Sequence, residues 1–255
     1  MTEDSEHPDS LTPPVLEKVA SLRGGTLYLV ATPIGNLEDL TFRAFRLLRD
    51  ADVLLCEDTR HTGQLLKAFG IRRGMLSLHK FNEKSREARV LADLGDGKVV
   101  AMVSDAGTPG ISDPGARMVA SAWDAGYRVE SIPGACAVVV ALTVSGLPAD
   151  NFTFVGFLPI KSGRRTRELE RLAEMTSAIV IYESPHRIAK LLEELERWLP
   201  GRELAVCREL TKRFEEVVRG DVRDVKKQLE GRKARGEYVV VVGQVRETKK
   251  RSAEL

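Results

Sequence analysis

Three segments of the sequence change from an apolar run to glycine and proline where a strand is expected to end. They read VATPIGN (30–36), VSDAGTPG (103–110) and SIPGACA (131–137). Glycine lets a ligand approach the backbone closely, and proline fixes the direction of a turn. In open α/β sheets, ligands bind beyond the carboxyl ends of the strands. Three such ends predict a shared crevice that binds a nucleotide-like molecule mainly through backbone groups, with Asp105 offering a carboxylate.

Several other classes of site are disfavoured because their motifs are absent from the sequence. Without GxGxxG, a dinucleotide-binding Rossmann site is disfavoured, and without GxxxxGK[ST] a P-loop NTPase is excluded. Neither HExxH nor a Cys/His cluster occurs, so no metal site is predicted. A GxSxG nucleophile turn is also missing.

The elements that must position these segments alternate between strand and helix, which predicts an α/β fold with largely parallel sheets. In the first half, strands are predicted at 26–32, 52–58, 75–79, 98–104 and 128–134, and helices at 42–50, 63–70, 83–97, 113–126 and 135–146. In the second half, strands are predicted at 153–157, 178–183, 204–208, 214–219 and 237–243, and helices at 163–176, 185–198 and 222–232.

The pattern restarts after Gly146-Leu147-Pro148, which predicts two domains. We expect a disordered leader at 1–24, an N-terminal α/β domain at 25–147, a C-terminal α/β domain at 148–245 and a frayed tail at 246–255. Asp113 is a candidate N-cap for the helix that follows the glycine-rich segment, with Pro114 in its first turn.

Composition adds constraints on the partner and the compartment. The 255 residues carry a net charge of only +2, but residues 1–149 carry −3 and residues 150–255 carry +5. The C-terminal half is therefore the better candidate for an anionic macromolecule, although a solvated surface explains the charge equally simply. Three scattered cysteines and no apolar leader or 18-residue apolar run favour a cytoplasmic protein without a membrane span.

Four longer motifs resemble one known family. LYLVATPIGNLEDLTFRA, EDTRHT, VSDAGTPGISDPG and YESPHRI occur in the order and spacing of the tetrapyrrole-methylase superfamily, most closely of its ribosomal branch. The resemblance runs from about Thr26 to Gly243. It implies two α/β/α domains, with S-adenosylmethionine bound in the cleft between them. It also implies 2′-O-methylation of a cytidine ribose in the decoding region of 16S ribosomal RNA, within the small subunit, and a homodimer.

The resemblance also implies which residues bind the cofactor. These are Pro33, Ile34, Gly35, Asp105, Ala106, Gly107, Thr108, Cys136, Ala137 and Glu183. The chain departs from the family pattern at two places: we expect a larger apolar residue where Gly110 stands, and a proline-serine pair where Ala135 and Cys136 stand.

A ribose hydroxyl is a weak acid, so methyl transfer to it benefits from a general base. Glu57, Asp58 and His61 are candidates in CEDTRHT, and Glu183 and His186 are candidates in YESPHR. Asp58 has a competing interpretation as a helix N-cap paired with Arg60, and His186 either caps a helix or faces the cleft. The sequence leaves the base unassigned.

The expected RNA contacts are basic. Arg60 is a candidate for an RNA phosphate, and so are Lys161, Arg164, Arg165 and Arg167 in the KSGRRTR segment. A solvated helix start explains the second group nearly as well. Two other functions remain open: methylation of a small corrin or porphyrin precursor, and a non-catalytic RNA-binding module that has lost the cofactor.

Overall fold

A computed structural model describes residues 21–79 and 81–245, which form two compact units. Unit 1 runs through Thr32 and continues from Glu38 to Gly134. Unit 2 consists of Pro33–Leu37 and the chain from Ala135 onward. The predicted leader at 1–24 lies mostly outside the described residues, and the predicted tail at 246–255 lies wholly outside them.

Unit 1 contains a five-stranded sheet in which every pair of neighbours is parallel. The strands are β1 (Thr26–Val30), β2 (Val53–Cys56), β3 (Leu76–Ser77), β4 (Val99–Val103) and β5 (Arg128–Ile132), in the order β3-β2-β4-β1-β5. All five residues of β4 are buried, as is typical of a parallel strand covered on both faces.

Four helices cover the two faces of this sheet. They are α1 (Phe42–Asp50), α2 (Thr59–Ala68), α3 (Glu83–Gly95) and α4 (Ala116–Asp124). Leu47 of α1 and Leu66 of α2 belong to the core on one face, whereas Leu94 of α3 and Met118 of α4 belong to the core on the other. The chain therefore leaves β1 and β2 toward one face, and leaves β3 and β4 toward the opposite face.

Unit 2 also contains a five-stranded sheet, but a mixed one. Its strands are β6 (Phe152–Phe157), β7 (Ala178–Glu183), β8 (Glu203–Arg208), β9 (Glu216–Asp221) and β10 (Tyr238–Val242), in the order β6-β7-β10-β8-β9. Only β6 and β7 pair in parallel; the other three pairs are antiparallel. The prediction of largely parallel sheets is therefore right for unit 1 and wrong for unit 2.

The helices of unit 2 are α5 (Ala137–Ser145), α6 (Ser162–Ala173), α7 (Ile188–Trp198) and α8 (Val222–Leu229). Helix α5 packs on one face of the sheet, where Ala141 and Leu142 lie with Val180 and Val241. Helices α6, α7 and α8 cover the other face. Apolar residues at helical spacing thus bury one stripe of each of these three helices against the sheet.

Two predicted boundaries are wrong. The division between the units falls at Gly134 and Ala135, not after residue 147, because α5 packs on the sheet of unit 2. The helix predicted from 113 begins at Ala116, with Gly115 at its N-cap, so Asp113 does not cap it. The side chain of Asp113 is instead a hydrogen-bond partner of Ser104.

Candidate active site

The carboxyl ends of the unit 1 strands meet at one edge because the strands are parallel. At this edge, the turn after β4 folds back onto the end of β1. Thr32 and Gly107 exchange two backbone hydrogen bonds, of 2.9 and 3.0 Å. Since the chain leaves β1 and β4 toward opposite faces of the sheet, these two neighbouring strand ends form a topological switch point, the position at which α/β sheets bind ligands.

Acidic residues from two neighbouring strands converge at this edge. The backbone N–H of Asp58, after β2, donates to Oδ1 of Asp105, after β4, over 3.0 Å. The backbone N–H of Asp105 is in turn a hydrogen-bond partner of the Glu57 carboxylate. These two interactions fix Glu57 and Asp105 relative to each other.

Two carboxyl groups at this edge hold their protons more tightly than usual. Burial raises the pKa of Glu57, and the nearby charges of Asp113 and Asp105 raise it further. Burial also raises the pKa of Asp113 to about 6, with a contribution from Asp105, and the hydrogen bond with Ser104 opposes the shift. Asp113 was not among the predicted site residues. The sequence feature that could have identified it is its position in the polar turn SDPG (112–115). The interpretation of Asp113 as a helix N-cap accounted for that feature without a functional role.

Asp58 has a different role from its neighbour. Its side chain accepts the backbone N–H of Arg60 at 2.8 Å and caps α2. It also accepts hydrogen bonds from the Arg60 guanidinium. These bonds, together with the one from the backbone, hold the pKa of Asp58 well below its usual range. Asp58 is therefore a weak proton acceptor at neutral pH, and the competing interpretation as a cap with a local ion pair is confirmed.

Glycine is needed at two of the turns that line this edge. A Cβ on Gly134 would lie 2.7 Å from the Cβ of Ala31, so only glycine lets the end of β5 approach the end of β1 this closely. Gly110 has φ of +82°, a region that costs a residue with a side chain about 1–2 kcal/mol. The expected larger apolar residue at position 110 would therefore be strained in this turn.

Part of the predicted cofactor set lies in unit 2. Ile34, Cys136 and Ala137 are half-buried against the apolar cluster beneath α5, and Cys136 occupies the N-cap of that helix. Pro33 is buried and Gly35 is exposed, with the side chain of Lys212 packed against the Gly35 backbone. Glu183, at the end of β7, is also in unit 2. The other four members form the turn after β4 in unit 1: Asp105, Ala106, Gly107 and Thr108.

Glu183 and Arg165 form a buried ionic cluster in unit 2. Arg165 contacts Glu183 at 3.3 Å and Glu194 at 2.7 Å, and Arg187 contacts the other oxygen of Glu183 at 2.7 Å. The Glu183 and Arg165 side chains are 0% and 3% exposed. Because the Glu183 side chain is fully buried and each of its oxygens contacts an arginine, Glu183 is a poor candidate for the base. His186 is exposed in the turn before α7.

The prediction that Arg165 contacts RNA is wrong. Arg165, Leu169 and Leu172 are the buried residues of α6, and their spacing places all three on the face that packs against the sheet. The sequence contains this helical spacing, but the many basic residues of the segment favoured an interpretation as a phosphate-binding loop. Lys161, Arg164 and Arg167 are exposed and form no ion pair with any described residue, and the Arg60 side chain is 88% exposed beside Asp58.

Comparison with known proteins decides the family. Residues 26–226 match the model of the Tetrapyrrole (Corrin/Porphyrin) Methylases. The chain belongs to the tetrapyrrole methylase family. Among its relatives, a protein of Halalkalibacterium halodurans named ribosomal RNA small subunit methyltransferase I is 45% identical over 218 residues, which span 86% of this chain and 75% of that protein. A protein of the same name from Xylella fastidiosa is 47% identical over 221 residues, spanning 86% of this chain and 81% of that one. The resemblance read from the motifs is confirmed.

Solved structures of the family share the fold. Uroporphyrin-III-C-methyltransferase from Thermus thermophilus is 27% identical, with a TM-score of 0.58 over 86% of this chain and 94% of that one. Another structure of that Thermus enzyme, complexed with S-adenyl homocysteine, is 22% identical with the same TM-score, over 86% of this chain and 97% of that one. Cobalt precorrin-4 methyltransferase is 19% identical with a TM-score of 0.62, over 86% and 95% of the two chains. The expected fold class is confirmed.

Within residues 21–79 and 81–245, no helix has the length and apolar character needed to cross a membrane. Among these same residues, no group of three or more His, Cys, Asp or Glu side chains is arranged to hold a metal ion.

Proposed function

We propose that this protein transfers the methyl group of S-adenosylmethionine to the 2′-hydroxyl of a cytidine in the decoding region of 16S ribosomal RNA. One observation supports a deprotonating site most directly. Glu57 and Asp113 lie together at the carboxyl edge of unit 1, and burial and the nearby Asp105 raise the pKa of both, as is common for acidic groups at functional sites. The similarity to proteins named ribosomal RNA small subunit methyltransferase I supports RNA as the acceptor.

The residues at this edge suit S-adenosylmethionine in shape and charge. Its sulfonium and ammonium groups are cationic, and three carboxyl groups, those of Glu57, Asp105 and Asp113, lie near one another there. Gly134 lets the end of β5 lie directly against Ala31 at the end of β1, so the strand ends that border the proposed site are close together. The turn from Asp105 to Thr108 would hold the cofactor, as the family resemblance implies. The proposal is also consistent with a relative's structure described as complexed with S-adenyl homocysteine.

The chemistry divides between cofactor and protein. The bound cofactor supplies an electrophilic methyl group on sulfur, and the protein must align the ribose oxygen with it and remove the hydroxyl proton. We assign proton removal to the pair Glu57 and Asp113. A carboxyl group whose pKa lies near 6 is largely ionised at neutral pH, yet it binds a proton more tightly than an ordinary aspartate does. Asp58 is a poorer candidate because its carboxylate is held by Arg60.

Three exposed cations, at the N-cap of α6 and within that helix, are the proposed contacts with RNA phosphates. Lys161, Arg164 and Arg167 form no ion pairs with described residues, so their charges are available to a polyanion. Arg60 is a further candidate because its side chain remains exposed next to Asp58. Since phosphate contacts position RNA without reading its sequence, these residues would orient the substrate and leave the choice of cytidine to other contacts.

We also propose that the chain forms a homodimer and works in the cytoplasm, where small ribosomal subunits are assembled. Unit 2 exposes large apolar side chains, with Val139, Phe157 and Ile160 between 55% and 84% accessible. Exposed apolar side chains of this size favour association. Light scattering should give twice the chain mass for the wild type and a lower average for Phe157→Ser with Ile160→Ser. A wild-type mass equal to one chain contradicts the dimer.

The experiment for this proposal compares acceptors. Purified protein with labelled S-adenosylmethionine is offered small ribosomal subunits, free small-subunit RNA and a uroporphyrinogen in parallel. Label on either RNA substrate and none on the tetrapyrrole is the expected result. Label on the tetrapyrrole alone would make the protein a small-molecule methylase. No label on any acceptor, with no binding of the cofactor, would favour the non-catalytic RNA-binding module.

A further inference from the structure

Unit 2 contains a cavity that the candidate active site does not use. It has a volume of about 460 Å³ and lies between α7, α8 and the segment leading into β10. Ile188, Leu192 and Tyr238 form an apolar floor and are each at most 6% exposed. The volume falls within the roughly 300–1,000 Å³ typical of small-ligand sites.

The rim of this cavity is basic. Six cationic side chains line it, against three carboxylates. The cations are Arg208, Arg223, Lys226, Lys227, Arg232 and Lys233. The excess of positive charge agrees with the net charge of +5 in residues 150–255.

Four of these cations share two carboxylates, and two have no ion pair. Arg223 and Lys226 pair with Glu196, at 3.2 and 2.6 Å. Arg208 and Arg232 share Glu216. Lys227 and Lys233 are exposed and form no ion pair with any residue of the described chain. Glu193 and Glu230 also line the cavity without an ion pair to any described residue, so the positive excess of the lining is carried by all six cations together, with Lys227 and Lys233 the two that are unpaired.

We propose that this cavity binds one nucleotide of the RNA substrate, with the base against the apolar floor and the adjoining phosphates at Lys227 and Lys233. RNA-binding proteins commonly take up unstacked bases in this way and hold the flanking phosphates with cations. The inference rests on the proposed function, because it takes RNA to be the acceptor. The cavity would be a second region of contact with RNA, beside the one formed by Lys161, Arg164 and Arg167.

The combination of features favours a nucleotide over other anions. An acidic peptide would need charges matched along a groove, and an inorganic phosphate would leave the apolar floor uncovered. A free nucleotide shares the chemistry of an RNA nucleotide, so the test must separate these two sources.

The test measures the RNA affinity of one variant that lacks two cations of the cavity and of another in which the cavity is filled. The double variant Lys227→Ala with Lys233→Ala removes the two unpaired cations, and Ala189→Trp fills the cavity from an exposed position without changing charge. Arg43→Ala with Lys67→Ala is the matched control, since both are exposed helix cations of unit 1 outside the cavity. Binding of isolated small-subunit RNA is measured over a range of salt concentrations, with and without cytidine monophosphate.

We expect the lysine variant to bind RNA about tenfold more weakly at low salt. Its slope of log affinity against log salt should be shallower by about 1.4, because each phosphate that the variant leaves without its cation reduces the slope by about 0.7. Ala189→Trp should weaken binding several-fold at an unchanged slope, and the control should match the wild type.

If the lysine variant and the tryptophan variant both bind RNA with the affinity and salt dependence of the control, the proposal is overturned. If cytidine monophosphate binds wild type but not the lysine variant while RNA binding is unchanged, the cavity serves a free nucleotide instead. Wild type that methylates no RNA and binds none overturns both proposals, whereas wild-type methylation with unaffected variants overturns only this one.

Discussion

The backbone N–H of Asp58 donates to the Asp105 carboxylate over 3.0 Å, so the residue that caps α2 is tied to the turn after β4. This bond joins the ends of two neighbouring strands at the edge where the carboxylates of the candidate site lie. The position of Glu57, the residue before Asp58, depends on the same contact.

The first prediction tests that bond. Asp105→Ala removes the acceptor, and we expect the affinity for S-adenosylmethionine to fall roughly tenfold, or about 1.4 kcal/mol, because the turn that would hold the cofactor is no longer tied to the part-buried N–H of Asp58. Asp105→Asn keeps an acceptor oxygen and should bind the cofactor more tightly than the alanine variant does. Calorimetric titration measures both, and equal affinity in the two variants would contradict the role of this hydrogen bond.

The second prediction separates two adjacent carboxylates. Glu57→Gln should lower kcat by about 10²-fold or more and weaken cofactor binding less than Asp105→Ala does, since it removes a proton acceptor while keeping the shape. Asp58→Asn should stay near wild-type activity, because asparagine caps a helix as well as aspartate does and the lost ion pair with Arg60 is exposed. The reverse pattern in single-turnover rates would move the base to Asp58.

A third prediction concerns pH. Asp113 has a folded-state pKa of about 6, above the ordinary value of 3.8, so proton binding favours the folded state. The stability that the protonated group contributes is present below about pH 4 and is lost as pH rises to about 6. At pH 7 the free energy of unfolding of Asp113→Asn should therefore exceed that of the wild type by about 1–3 kcal/mol, and near pH 3 the two should be equal. Thermal unfolding at the two pH values measures the difference.

The same group should shape the activity profile. The ionised form of Asp113 accumulates as pH rises through about 6, so wild-type methyl transfer should increase across this range. Asp113→Asn should lose most activity and flatten the rise. An unchanged pH profile in this variant, with its cofactor affinity intact, would remove Asp113 from the mechanism.

A fourth prediction compares two neighbouring arginines of α6. Arg165→Ala leaves the buried Glu183 without one of its partners and should destabilise the protein by about 3–5 kcal/mol in urea unfolding. Arg164→Ala lies on the surface and should change stability by less than about 0.5 kcal/mol while weakening RNA binding. Equal stability of the two variants would contradict the structural role assigned to Arg165.

The regions that the sequence predicted well are those in which local pattern and packing agree. Helix α1 was predicted at 42–50 and β7 at 178–183, and the structure gives the same bounds. The turn motifs after β1, β4 and β5 were also identified from glycine and proline alone, because turn residues have local causes.

The rest depends on contacts between distant residues. Helix α5 is apolar on every side, so its period does not reveal which sheet it covers, and it was assigned to the wrong unit. Strand direction in unit 2 is set by pairing of β10 with β7 and β8, which alternation along the chain does not encode. The same holds for Asp113, whose raised pKa comes from burial and from Asp105.

The most direct measurement identifies the product nucleoside. Small ribosomal subunits that lack the modification are incubated with the protein and labelled S-adenosylmethionine, and the RNA is digested to nucleosides. We predict label in 2′-O-methylcytidine for the wild type and its near absence for Glu57→Gln. Label in a base-methylated nucleoside, or none in the RNA although the protein binds the cofactor, would contradict the proposed function.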